Sequence, residues 1–189
     1  MNSMRRLAAL AAFLVMTTLL CLPAQAQPFG DTDVPFVITP DNVTLEMLKL
    51  ANVGPKDYVI DLGSGDGRIV IEGARRFGAR GLGVEIVPDL VRQSNANARA
   101  AGVADRAEFR EQDLFKTDLS AATLITMYLL PDVNLKLRPA LQKLKSGTRI
   151  VSHDWDMGDW PATRTELVAA PDKKVGLIKE SKIMLWVVR

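Results

Sequence analysis

The hydrophobic pattern of the chain changes period several times. From Leu7 to Leu22 it is almost unbroken and carries no charge. A stretch punctuated by Pro28 and Pro35 follows, and then Val43, Met47, Leu50 and Ala51 recur at the spacing of one helix face until Gly54-Pro55 ends them. Thr39-Pro40 reads as the start of that helix, a cap followed by proline at the first helical position. Beyond it, short apolar runs take turns with helical periodicity. YVIDL (Tyr58–Leu62) precedes a helix with Val70, Gly73, Ala74 and Phe77 on one face. GLGVEI (Gly81–Ile86) precedes a helix opened by Pro88 and closed by Gly102. AEFREQ (Ala107–Gln112) and TLITMYLL (Thr123–Leu130) follow, then a helix carrying Val133, Leu137, Leu141 and Leu144, then TRIVSHDW (Thr148–Trp155). Strands that are apolar without alternation are buried on both faces. Alternating with helices, they predict an α/β fold with a Rossmann-like, doubly wound, mostly parallel sheet. Only Asp113 to Ala121 separates the third and fourth strands, room for a turn rather than a full crossover helix. The end, SKIMLWVVR, predicts a C-terminal strand antiparallel to one drawn from Arg164 to Glu180.

Composition changes this picture in one place. Arg5 and Arg6, the apolar run, and Ala24-Gln25-Ala26 form the pattern of a signal peptide over residues 1–26, leaving a domain over 27–189. The run is short for a membrane span. Leu20, where a small residue should precede Cys21, speaks against a lipoprotein. The positive charges precede the run, so the domain is expected to be exported, periplasmic or secreted, with no stable membrane span after cleavage; the alternative is that the leader is kept as an uncleaved anchor. Removing the leader takes away the one cysteine and two of 24 basic residues, leaving 22 against 22 acidic ones. No disulfide or thiolate metal site is then open to the domain, and with one histidine there is no zinc set. A balanced charge also argues against strong nucleic-acid binding.

The chemistry gathers at strand ends, where open parallel sheets hold their ligands. The turn after YVIDL carries Gly63, Gly65 and Gly67. It lacks the Gly-Lys-Ser/Thr of a phosphate-binding loop, and Arg68 stands where a dinucleotide fingerprint places its third glycine. Asp61 and Asp66 flank it. Two carboxylates repel a pyrophosphate and attract an ammonium and a sulfonium, so the turn suits S-adenosylmethionine. Glu85, ending the second strand, is placed to accept from ribose hydroxyls, and Asp113, ending the third, from the amine of an adenine. Each has a plainer reading, Glu85 as a solvated strand end and Asp113 as a cap on the next turn; acids and glycines at successive strand ends favour the ligand site.

These residues resemble the class I S-adenosylmethionine-dependent methyltransferases, and among them the ATP synthase c-subunit lysine methyltransferases and their bacterial relatives. The resemblance rests on PFVITP, VIDLGSGDGRIVI, GVEI, FREQDLF and RIVSHDWDMGDWP, spanning Pro35 to Pro161. It implies that Phe36 and Thr39 close over the cofactor, that Asp61 to Arg68 form the loop at its methionine end, and that a protein lysine is the methyl acceptor. The chain departs from many amino-group methyltransferases in carrying YLLPD where they carry Asn/Asp-Pro-Pro-aromatic, which speaks against a planar base amine. On the acceptor side the candidates are Tyr128, where such folds face the transferable methyl, Asp132, and His153, a general base or a strand-end histidine bonded to its surroundings. Trp155 and Trp160 are candidates for the wall of the substrate entrance. Two other functions stay open at this point, an exported nucleoside-binding module without catalysis and a small-molecule methyltransferase. Intact-mass analysis of the exported protein should show a chain beginning at Gln27; a full-length mass confined to the cytoplasm would refute the export reading.

Overall fold

The computed structural model describes residues 37–189. The expected leader over residues 1–26 and Phe36 lie outside the described residues. Strands β1 (Tyr58–Leu62), β2 (Arg80–Glu85), β3 (Ala107–Glu111), β4 (Leu124–Met127), β5 (Arg149–His153), β6 (Arg164–Ala169) and β7 (Glu180–Val187) form one sheet. Its order is β3-β2-β1-β4-β5-β7-β6. The first five strands are parallel; β7 runs antiparallel to both β5 and β6. Helices α1 (Asp41–Leu50), α2 (Arg68–Phe77), α3 (Pro88–Ala100) and α4 (Pro131–Leu141) flank the sheet, and a single 3₁₀ turn, Leu114–Lys116, occupies the short link from β3 towards β4.

Alternation along the strands sorts the two faces. Ile60 and Leu62 of β1 join Ile125, Met127 and Ile150 on the face that packs against Leu137 and Leu141 of α4. Val59, Leu124 and Val151 point to the other face, against Val43, Met47 and Leu48 of α1 and Ile69 of α2. Each face is covered, as the unbroken apolar strands require.

Three local readings shift. Helix α1 begins at Asp41 with Pro40 as its cap residue and no side-chain cap; the Thr39 hydroxyl is engaged elsewhere, as described below. Strand β4 stops at Met127, not Leu130, because its neighbour β1 turns away at Gly63 and pairing ends at Leu62↔Met127. Leu129 instead packs against that turn, its Cδ2 2.8 Å from where a Cβ on Gly63 would stand. Trp160 packs on the core, its ring 6.1 Å from that of buried Trp186, whose Nε1–H donates to the Trp160 carbonyl.

Gly83, in the middle of β2, shows how tightly the sheet meets the first turn. A Cβ there would stand 2.4 Å from Phe109 Cδ1 and 2.6 Å from Ser64 Cβ. Gly83→Ala should therefore destabilise the protein by about 1–3 kcal/mol, read as a lowered urea midpoint with an unchanged slope; wild-type stability would show that Phe109 and Ser64 give way freely.

Candidate active site

Strand β1 lies between β2, towards which the chain goes first, and β4, to which it returns. The crevice at this reversal is where the sequence concentrates its acids. Asp61, the fourth residue of β1, is 2 % exposed. Its Oδ1 accepts from the Thr126 hydroxyl of β4 at 2.6 Å, and among the described residues no cation pairs with it. Burial pushes its carboxyl up to about 7, against the Thr126 hydrogen bond, and the nearby Asp66 and Glu85 charges add to the rise.

The turn that follows is held by its backbone. The N–H groups of Gly63 and Ser64 both donate to the Val84 carbonyl at 3.0 Å. Gly65, at φ +54°, donates to Glu85 Oε2 at 3.0 Å. Gly67, at φ +85°, opens α2, and a Cβ on it would stand 2.6 Å from the Phe109 ring; both backbone angles belong to glycine. Asp66 is turned aside: Arg68 binds both its carboxylate oxygens, and Arg68 also reaches the Thr39 carbonyl at 2.9 Å and Asp41 at 2.7 Å. Asp61 therefore carries the negative charge of this turn, while Asp66 fastens it to the segment before α1.

Glu85 is buried at the end of β2. Besides Gly65, its carboxylate accepts from the N–H groups of Ile86 at 2.8 Å and Val87 at 3.0 Å. It thus shapes two turns and keeps about one of its four acceptor positions free, a hydroxyl's worth rather than the pair expected from sequence. Asp113 does cap the following turn, its Oδ1 accepting from the Phe115 N–H at 2.9 Å, which leaves Oδ2 beside Lys116 at 3.5 Å. Asp113 lies two residues past the end of β3 at Glu111 rather than ending the strand as expected, and Phe115 follows in the 3₁₀ turn, whereas Ile86 directly follows β2; Ile86 and Phe115 are 51 % and 52 % exposed. Apolar side chains left open beside two acids suit a purine nucleoside; the sequence signalled Ile86, directly after Glu85, but the residue directly after Asp113 is Leu114, which packs on the core, and not Phe115.

The other half of the strand edge is polar and enclosed. His153 ends β5 fully buried, with Nδ1 3.2 Å from the Thr39 hydroxyl and Nε2 2.7 Å from the Ser181 hydroxyl of β7. Burial drives its pKa down to about 4, with Lys173 adding to the fall and Asp154 opposing it. The imidazole is therefore neutral, with both ring nitrogens engaged. Its ring lies 3.9 Å from that of Tyr128, tilted by 33°. The Tyr128 hydroxyl donates to Asp154 Oδ2 at 3.3 Å, and burial, helped by Asp154, pushes it up to about 12. Thr39, Tyr128 and His153 thus meet, whereas Asp132 is exposed in the first turn of α4, without a hydrogen-bond partner among the described residues. Trp155 is exposed beside this edge. Sequence reasoning did not single out Asp154, Ser181 or Thr126; only Asp154 had a signal, its place beside His153.

The fit to S-adenosylmethionine turns on Asp61, a buried carboxylate that lacks a cation, beside glycine backbone open to close approach. Asp61 would hold the amino-acid ammonium, Glu85 a ribose hydroxyl, and Ile86, Asp113 and Phe115 the base. An ammonium beside Asp61 favours its ionised form, so binding near pH 7 should release a fraction of a proton, and affinity should rise from about pH 5.5 to 7.5, where a free α-amine is still mostly charged. In the ligand-free protein the same carboxyl favours the fold at pH below about 3.8, a contribution lost as pH rises through about 7. Calorimetry in buffers of different ionisation enthalpy should show the proton release in the wild type and none in Asp61→Asn. Glu85→Ala should weaken cofactor binding by about 1–3 kcal/mol and also lower thermal stability, because three amide donors lose their acceptor; unchanged affinity would remove Glu85 from the cofactor site.

Known proteins are similar to this chain. Residues 61–164 match the family model of the ANTKMT methyltransferase domain. A protein-lysine N-methyltransferase of Saccharolobus islandicus is 45 % identical over 129 residues, covering 67 % of this chain and 80 % of that one. The human ATP synthase c-subunit lysine N-methyltransferase is 30 % identical over 153 residues, 78 % of this chain, which spans 65 % of the human enzyme's length. The crystal structure of an RNA methyltransferase from Salinibacter ruber, in complex with S-adenosyl-L-homocysteine, superposes with a TM-score of 0.73 at 51 % identity, covering 80 % of this chain and 94 % of that one. The match runs from Asp61, near the end of β1, through β5, and the chain belongs to the ANTKMT methyltransferase domain family of S-adenosylmethionine-dependent methyltransferases.

Proposed function

We propose that the protein transfers the methyl group of S-adenosylmethionine to the ε-amine of a protein lysine, and that it does so as an exported domain. The observation that carries the acceptor is the part-buried polar edge beyond β4 and β5. Tyr128 and Asp154 face one another there at 3.3 Å, a carboxylate and an aromatic ring suited to a long alkylammonium. The likeness to lysine methyltransferases of S. islandicus and human supports the same acceptor. The leader, with Arg5, Arg6 and Leu7–Leu22, supports the export.

S-adenosylmethionine supplies an electrophilic methyl on a sulfonium. The chain's task is to hold donor and amine in line and to keep water from the site. Asp61, the glycine turn and Glu85 fix the donor side. On the acceptor side Tyr128 offers its ring and is itself held by His153 and Asp154. His153 is a poor proton acceptor here, neutral down to about pH 4 and bonded at both nitrogens; its part is to set the Tyr128 ring and to tie Thr39 and Ser181 to the site. The amine must then arrive neutral or lose its proton to water. Asp132, open to solvent at the start of α4, is placed to meet the protein that carries the lysine rather than the lysine itself.

A second reading has one observation in its favour, the S. ruber relative described as an RNA methyltransferase. The even charge of the domain and the YLLPD run weigh against a nucleobase acceptor. Incubating the protein with methyl-labelled cofactor and an envelope extract separates the two. Label should enter protein, survive ribonuclease and appear as methyl-lysine after hydrolysis, with a rate that climbs from pH 7 towards about 10.4, the unperturbed lysine pKa. Tyr128→Ala and His153→Ala should lower kcat at least about tenfold, or about 1.4 kcal/mol, while cofactor affinity changes little. Label in ribonuclease-sensitive material would establish the RNA reading, and label in a small lipid-soluble product a metabolite methyltransferase.

A further inference from the structure

Beyond β5 the backbone of Asp154 takes a left-handed conformation, φ +62°, uncommon for a residue with a side chain. Its carboxylate gathers partners from four elements. Oδ1 accepts the N–H of Lys182 on β7 at 3.0 Å. Around Oδ2 stand Lys173 Nζ at 2.7 Å, the Tyr128 hydroxyl at 3.3 Å and His153 Nε2 at 3.6 Å. Burial alone would raise the Asp154 carboxyl, but Lys173 and the Lys182 N–H hold it below the ordinary aspartate range.

Lys173 comes from the loop between β6 and β7. Its neighbours from Lys174 to Lys179 are all exposed, Leu177 fully so, yet the Lys173 side chain is folded back until 13 % of it remains open. The Glu180 carbonyl takes another of its ammonium protons, at 2.8 Å. A lysine ammonium therefore rests at the acceptor edge, against Asp154 and beside the Tyr128–His153 pair. We propose that Asp154 is the carboxylate that receives the ammonium of the acceptor lysine, and that Lys173 holds this place in the free protein.

The proposal rests on the lysine reading above. Physically the arrangement is an exchange of like for like. A half-buried carboxylate left without a cation is costly, and Lys173 removes that cost until an acceptor arrives. The incoming lysine replaces one ammonium by another, so Asp154 stays neutralised until the acceptor gives up its proton. The loop that carries Lys173 is anchored by β6 on one side and β7 on the other, so Lys173 can swing out without unpairing the sheet. A carboxylate of lowered pKa binds and orients; it is not a base, and the acceptor ammonium gives its proton to water before its lone pair attacks the methyl.

The test uses the full chain and n-butylammonium as a probe of the ammonium site, followed by NMR titration and thermal shift. Lys173→Met keeps the apolar stem and removes the charge; Lys173→Gln serves if that variant folds poorly. Either variant should bind n-butylammonium saturably, at least tenfold more tightly than the wild type, and the added change Asp154→Asn should abolish this binding. Cofactor affinity should stay within about twofold in all of them. With poly-lysine as acceptor, the Lys173 variants should lower KM several-fold, and Asp154→Asn alone should raise it at least tenfold. Equal n-butylammonium binding in wild type and variants, or a poly-lysine KM indifferent to Asp154, would reduce the pair to a loop clasp and leave lysine methylation standing. A saturable ammonium site with no methyl transfer to any protein would overturn the lysine reading, and the acceptor role of Asp154 with it.

Discussion

A carboxylate buried without a cation sits at the centre of this molecule. Asp61 stands next to last in its strand, just before the chain must reverse, between β2 on one side and β4 on the other, and only the Thr126 hydroxyl answers it from within the described protein. Strands β1 and β4 are locked in register here, Asp61 opposite Thr126, so the acid cannot turn outward without breaking the middle of the sheet. The glycine turn, the buried Glu85 and the open apolar residues beyond it are all arranged around this anionic point. A protein of this size has little stability to spare; burial lifts the Asp61 carboxyl to about 7, which eases its charge in the free protein, and a cationic ligand favours its ionised form.

The strand edge divides into two halves with different engineering. On the side of β2 and β3 the contacts are local: Glu85 with Gly65, Ile86 and Val87, and Asp113 with Phe115. On the side of β4, β5 and β7 they join segments far apart in the chain, Thr39 with His153, His153 with Ser181, and Lys173 with Asp154. The donor half is therefore preorganised by its own turns, and the acceptor half by the tertiary fold. Arg68 links them, clasping Asp66 and reaching the Thr39 carbonyl.

This division also explains what could be read from sequence. The doubly wound fold, the short β3–β4 link and the antiparallel last strand follow from period and spacing, and so do Asp61, the three glycines, Glu85 and Asp113, whose signals are local. The orientation of Asp66 was not legible, because its partner Arg68 is chosen by geometry: a guanidinium two residues on can face the same side or the opposite one. Nor was the role of Thr39, which looks like a helix cap and is instead bonded to a histidine 114 residues away. His153 invited a base reading as the single histidine; its burial and its two hydroxyl partners, one of them on β7, turn it into a spacer for Tyr128. Lys173 carried no signal at all, being one of several lysines in a polar loop.

The position of β7 bears on how the protein comes into being. It is the last strand in sequence, yet it lies inside the sheet, between β5 and β6. A chain emerging in order can lay β1 through β5 side by side, but β6 has no neighbour to pair with until β7 has slid into place. Ser181 and Lys182, which hold His153 and Asp154, arrive with that same strand. The pocket for the nucleoside can thus take shape early, while the acceptor edge stays unfinished until the closing strand docks. Whatever order the other elements form in, the acceptor edge is complete only when the final strand is seated.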